Sequence, residues 1–139
     1  MLALTGRVAD GWAVGMFPDL QPVQLAPISA RVDEAARGAG RDPASIRRIW
    51  NISGTITPRP TGRLFNDCVE SWAQSLADVS LRHGIDTFVL IEGEDAEAQL
   101  RTFALEVAPL TRDLVAEARW TGGRQRQEPD QAALSGPRR

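Results

Sequence analysis

The run Thr87-Phe88-Val89-Leu90-Ile91 constrains this chain most. It is apolar at every step after Thr87, rich in β-branched and aromatic side chains, and closed by Glu92 and Gly93. A run without polar alternation predicts a parallel strand buried on both faces. Two shorter runs share its setting: Gly11-Trp12-Ala13-Val14-Gly15-Met16, bracketed by glycine, and Ile49-Trp50-Asn51-Ile52-Ser53, ended by Gly54. Each of the three precedes a segment with helical periodicity. Strand, helix, strand, helix, strand, helix is the order of parallel βαβ units, so the expected class is α/β.

The helices are marked by their ends. Pro27 suits a first helical turn and Gly40 a left-handed stop, with Ile28, Val32, Ala35, Ala36 and Ala39 as the apolar stripe between them. A second helix is expected to open at Asn66-Asp67, with Glu70 completing a capping-box-like start. Val69, Trp72, Leu76 and Val79 would form its buried stripe, and Gly84 its stop. A third starts near Asp95 and carries Leu100, Phe103, Ala104 and Val107. Pro109 should break or kink it before Leu110, Leu114 and Val115 add another turn or two. Thr55 to Leu64, with two prolines and a glycine, reads as a surface loop at the end of the second strand. Residues 1–118 are expected to form one domain, and 119–139, poor in apolar residues, a disordered tail.

Composition narrows the function classes. One cysteine and one histidine in 139 residues rule out a disulfide framework and a cysteine-rich zinc site, and no metal site is expected. A net charge of -2 gives no global field toward nucleic acid. No apolar run approaches the ~20 residues of a membrane helix, and the N-terminus lacks the pattern of a secretory signal, so the expected location is cytoplasmic. Lysine and tyrosine are both absent and every basic residue is arginine, a composition bias and not a chemical signal.

Three ordered stretches carry a resemblance: GRVADGW at 6–12, AGRDPASIRRIWNISG at 39–54, and WAQSLADVSLRHGIDTFVLI at 72–91 followed by LRTFALEVAPLTRDLV at 100–115. Together, over about residues 3 to 118, they resemble the C-terminal part of luciferase-like monooxygenases, flavin- or deazaflavin-dependent oxidoreductases built on a TIM barrel. The resemblance implies a partial (β/α)₈ barrel of three parallel βα units, since a complete one takes about 250 residues. It implies FMN or deazaflavin as cofactor, a bacterial cytosolic setting, and N-terminal strands with most flavin-ring contacts lying before Met1. The chain is then expected to work as a homodimer or with a separate N-terminal half-barrel chain. The alternative is a non-catalytic remnant or interaction module of the same fold.

In such a barrel the site lies at the C-terminal ends of the strands, which gathers Gly15 and Met16, Ser53 and Gly54, and Glu92 and Gly93. Asn51 and Ser53 alternate with Trp50 and Ile52, so one face of that strand is polar. Ser53 could bond a cofactor or fill a barrel layer; for Asn51 the filling role is favoured. Asp10, Gly11 and Trp12 are binding candidates through the resemblance, which places them near the cofactor phosphate. On the residues alone, Asp10 caps a turn, Gly11 permits it, and Trp12 anchors the core. Glu92 is a general-base candidate, more simply a solvated or helix-capping carboxylate, while Glu94 and Asp95 suit a helix start. His83 suits a helix C-terminus, and with no second histidine it offers no triad. Cys68 lies in a first helical turn, where a thiol can be acidified, though an inert small residue is the plainer reading. Arg124, Arg126, Arg138 and Arg139 read as solvated. No residue can be named as the catalytic acid or base.

Overall fold

The three apolar runs form one parallel sheet in the computed structural model, which describes residues 1–14, 22–91, 93 and 95–125, the last three as backbone only. Strands β1 (Gly11–Val14), β2 (Arg47–Ser53) and β5 (Thr87–Ile91) lie in the order β1-β2-β5. Ala13 pairs with Ile49 across the first ladder. Ile49, Asn51 and Ser53 pair with Thr87, Val89 and Ile91 across the second. Each new strand therefore adds on the same side of the last, and the order never reverses among the described residues. A pair of two-residue strands, β3 (Thr55–Ile56) and β4 (Asn66–Asp67), forms a separate parallel ladder beyond the end of β2.

One helix precedes the first strand, the others follow strands, and neighbours touch in chain order. They are α1 (Leu2–Val8), α2 (Leu25–Gly38), α3 (Val69–His83), α4 (Ala96–Thr102) and α5 (Ala108–Gln125). Helix α1 packs on α2, α2 on α3, and α3 on α5. Sequence periodicity did not mark α1. It is held by contact: Gly6 meets α2 so closely that a Cβ would stand 2.3 Å from the Val32 carbonyl oxygen. Arg41 then bonds the carbonyl oxygens of Gly6 (3.0 Å) and Ala9 (2.8 Å), taking up acceptors that the end of α1 leaves open. Gly40 and Gly84 both adopt the left-handed conformation expected at helix ends, with φ 71° and 67°.

One face of the sheet is covered. Val14, Trp50 and Ile52 are buried with Trp72, Leu76 and Val79 of α3 and with Val107, while Trp12, Phe88 and Leu90 pack against the same core. A smaller cluster joins Val32, Ala36 and Ile46 to Leu2 and Trp12. No described element covers the other face. Gly11, Ala13, Ser53 and Val89 are exposed and Ile49, Asn51, Thr87 and Ile91 half-buried.

Three expectations change. The run Thr87–Ile91 is not buried on both faces: β5 pairs only with β2 and Val89 is 41% exposed, because no described element covers that face or that edge. Pro109 does not break the last helix. One turn of π geometry, Phe103–Val107, precedes it, and Ala108 N–H bonds the Phe103 carbonyl five residues back. That wider turn gives the ring room where an α-helical carbonyl would collide with it. Finally, residues 119–125, expected in a disordered tail, are the last turns of α5; 126–139 lie outside the described residues.

Candidate functional site

The alternation along β2 sends Trp50 and Ile52 to the helices and Ile49, Asn51 and Ser53 to the open face. On that face Asn51 stands level with Val89 and Ser53 with Ile91, at the end of the sheet where the strands finish. Neither the Asn51 amide nor the Ser53 hydroxyl has a hydrogen-bond partner among the described residues. Around them the face is aliphatic, built by Ala13, Ile49, Val89 and Ile91, and its one described charge, Arg47, sits at the opposite end. The surface can take an uncharged, flat group and offer it hydrogen bonds at one end. No described side chain on it can act as a general acid or base.

The loop that follows β2 is held in place and frames this end of the sheet. Asp67 accepts from the backbone N–H groups of Thr61 (2.8 Å), Gly62 (3.0 Å) and Cys68 (2.7 Å). The Thr61 hydroxyl bonds the Asn66 carbonyl. From the next unit, the Gln99 side chain clasps Ile56, accepting its N–H at 2.7 Å and donating to its carbonyl at 3.2 Å. The segment after β2 is thereby fixed to helix α4. Arg59 and Arg63 are exposed on the loop, with no acidic partner among the described residues.

Asp67 was expected to open α3 in a capping-box-like arrangement. The helix instead starts at Val69 with Cys68 as N-cap, and Asp67 organises the loop before it. The Thr61 N–H foremost, then that of Cys68, hold its carboxyl below the ordinary 3.8. A depressed native value contributes stability that is present above the ordinary carboxylate range and is lost as pH falls through the lower native value. Urea unfolding followed across acidic pH should show that loss in the natural chain. Asp67→Asn should be less stable at neutral pH and should lack this part of the acid dependence.

The sequence candidates do not gather at one point. Asp10 and Gly11 are exposed at the start of β1, where Arg47 N–H bonds the Asp10 carbonyl (3.0 Å), and Trp12 turns toward the core. Gly11 is level with Arg47, six residues before Ser53, which puts the two groups about 20 Å apart along the sheet. Cys68 is buried, with its Sγ 3.5 Å from the Ser71 hydroxyl. His83 ends α3, and its Nδ1 is buried without a partner. Asp95 is the N-cap of α4. Gly15, Met16, Glu92, Glu94, Arg126, Arg138 and Arg139, and the Arg124 side chain, lie outside the described residues. No group of acidic, histidine or cysteine side chains among the described residues could hold a metal ion. No described helix is long and apolar enough to cross a membrane.

A groove of about 510 Å³ runs between α3, β5 and α5, lined by Leu76, Phe88, Phe103, Val115, Arg112 and Arg119. It opens on the helix side of the sheet, behind Phe88, and does not reach Asn51 or Ser53. The features reading by residue type did not find are the Gln99 clasp and the Asp67 staple. The turn residues Pro58, Pro60 and Gly62 signal a loop there, but nothing in residue type says which distant side chain will pin it.

No family model matches the chain, and no curated protein does. Solved structures do match. One is riboflavin lyase, crystallised with modified FMN and its substrate riboflavin; the similarity has a TM-score of 0.65 at 14% identity over 81% of this chain. The chain spans 40% of the length of that enzyme. At this identity the likeness is one of fold: a mixed α/β arrangement with a parallel three-stranded sheet, not closed into a barrel among the described residues, shared with part of a flavin-utilising enzyme.

Proposed function

We propose that this chain is the C-terminal wall of a luciferase-like, flavin-dependent oxidoreductase barrel, and that its open sheet face is turned toward the flavin. The observation that carries the reading is the pairing of an uncovered aliphatic face with two unbonded polar side chains, Asn51 and Ser53, at the C-terminal strand ends. That is the end at which (β/α)₈ enzymes build their sites. The strand order and the single covered face also suit a section of barrel wall, whose helices lie outside and whose edge strands pair with the remaining strands.

The donor set fits a flavin ring. An uncharged planar system can lie on Ile49, Val89 and Ile91 while Asn51 and Ser53 meet its polar atoms. The fold's likeness to an enzyme crystallised with modified FMN favours FMN over deazaflavin. When bound, the flavin supplies the hydride or oxygen chemistry, and the protein supplies position and electrostatics. This chain's share is to hold and orient the ring from one side and to shield it from water with a clasped loop. Asp10, Gly11 and Trp12, at the other end of β1, stay outside that ring site.

The reading includes a partner. The outer edges of β1 and β5 are unpaired among the described residues, and an open strand edge invites pairing. A second copy or a chain carrying the remaining strands would occupy them and bring acid–base groups that the described residues of this face do not supply.

Titrating the chain with FMN and following flavin fluorescence tests the reading. Contact from one side should give a saturable change with Kd of roughly 0.4 mM, from ~0.3 kcal/mol per ligand atom halved for the uncovered side. No saturable change at that concentration or tenfold above it would contradict it and favour a remnant without cofactor.

A further inference from the structure

Among the described residues, Asn51 is the one side chain in the middle of the open face that offers a donor and an acceptor together. Whichever way its amide is turned, Oδ1 and Nδ2 lie side by side in one plane. The aliphatic residues beside it, Ile49, Val89 and Ile91, make no such offer, and no charge of the described residues stands nearby on the face. An amide on an apolar surface is costly to cover unless the covering group bonds it. The group that fits is uncharged and flat, with a donor adjoining an acceptor on one edge. The pyrimidinedione edge of a flavin has that form, an N3–H between two carbonyl oxygens.

We infer that Asn51 reads this edge of the flavin, accepting from N3–H and donating to a neighbouring carbonyl oxygen, with the ring lying over Val89 and Ile91. The inference rests on the flavin reading above and adds to it the orientation of the ring. Ser53 stands two residues further along the same face, about 6.6 Å away, close enough to meet the same ring with its hydroxyl. The amide is thus a specificity-determining group: it separates a flavin with a free N3–H from one in which that position is blocked.

The test compares FMN with 3-methyl-FMN on the full chain by fluorescence titration. The natural chain should bind 3-methyl-FMN roughly 10-fold more weakly, the effect of leaving one amide pair unmade. Asn51→Leu should bind both flavins alike, at about the weaker value. Circular dichroism should show it folded, since position 51 faces away from the core. Should that variant not fold, Asn51→Ala makes the same comparison, and the two-flavin titration of the natural chain stands without any variant. Equal binding of both flavins by the natural chain would overturn the role of Asn51 and leave the flavin reading standing. Absence of FMN binding would overturn both.

Discussion

Trp72→Ala should destabilise the chain by about 4 kcal/mol, a large share of the 5–15 kcal/mol typical of a domain. Trp72 is 1% exposed at the centre of the core. Its ring meets Phe65 at 4.9 Å and Phe103 at 6.1 Å between centroids, and Phe65 in turn meets Trp50 at 5.6 Å. The column therefore runs from the central strand through the loop residue Phe65 to the last helix. The indole N–H also donates to the Thr55 carbonyl at 3.3 Å. Removing the ring opens a cavity that touches the sheet, the loop and two helical units together. Urea unfolding measures the effect, and Trp72→Phe, which keeps an aromatic ring and gives up the Thr55 bond, should cost only about 1–2 kcal/mol. Equal losses in the two variants would show that ring packing is not the main contribution.

The second large effect is expected at Gly54, where β2 hands over to the loop. A Cβ there would stand 1.8 Å from the Phe65 carbonyl oxygen, and Thr55 N–H bonds that same oxygen at 2.9 Å. Phe65 has no freedom to retreat: it is buried in the aromatic column and already holds a φ of 54°. Gly54→Ala should cost about 3 kcal/mol or prevent folding, at the upper end of overpacking effects. Gly38→Ala is the matched control, since nothing lies within 4 Å of its Cβ position and alanine favours the helix, so a small gain of about 0.5–1 kcal/mol is expected. Similar stabilities for the two variants would show that the strand end is not packed as tightly as the distance says.

The parts of the fold legible from residue order are those set by local chemistry. Apolar runs placed the three strands, and left-handed glycines at 40 and 84 placed two helix ends. The alternation of Trp50 and Ile52 with Asn51 and Ser53 correctly split β2 into a covered and an uncovered face. What residue order did not carry were the features decided by distant contacts. Helix α1 depends on Gly6 meeting α2 and on Arg41 reaching back 32 and 35 residues. Asp67 has the composition of a helix cap but finds better donors in the loop behind it. The run at β5 looks fully buried because its composition suits burial, yet burial also needs a neighbour, and among the described residues only β2 pairs with it. Asn51, favoured as a filler of the barrel interior, is the most informative polar group on the open face because nothing described bonds it.

Backbone amide chemical shifts of the isotope-labelled chain, recorded with and without FMN, test most directly whether the open face is the flavin side. Shifts concentrated at Ile49, Asn51, Ser53, Val89 and Ile91, with Leu76, Val115 and Arg119 unmoved, are the predicted result. Shifts confined to the groove between α3 and α5, or to Asp10 and Gly11 at the far end of β1, would contradict it.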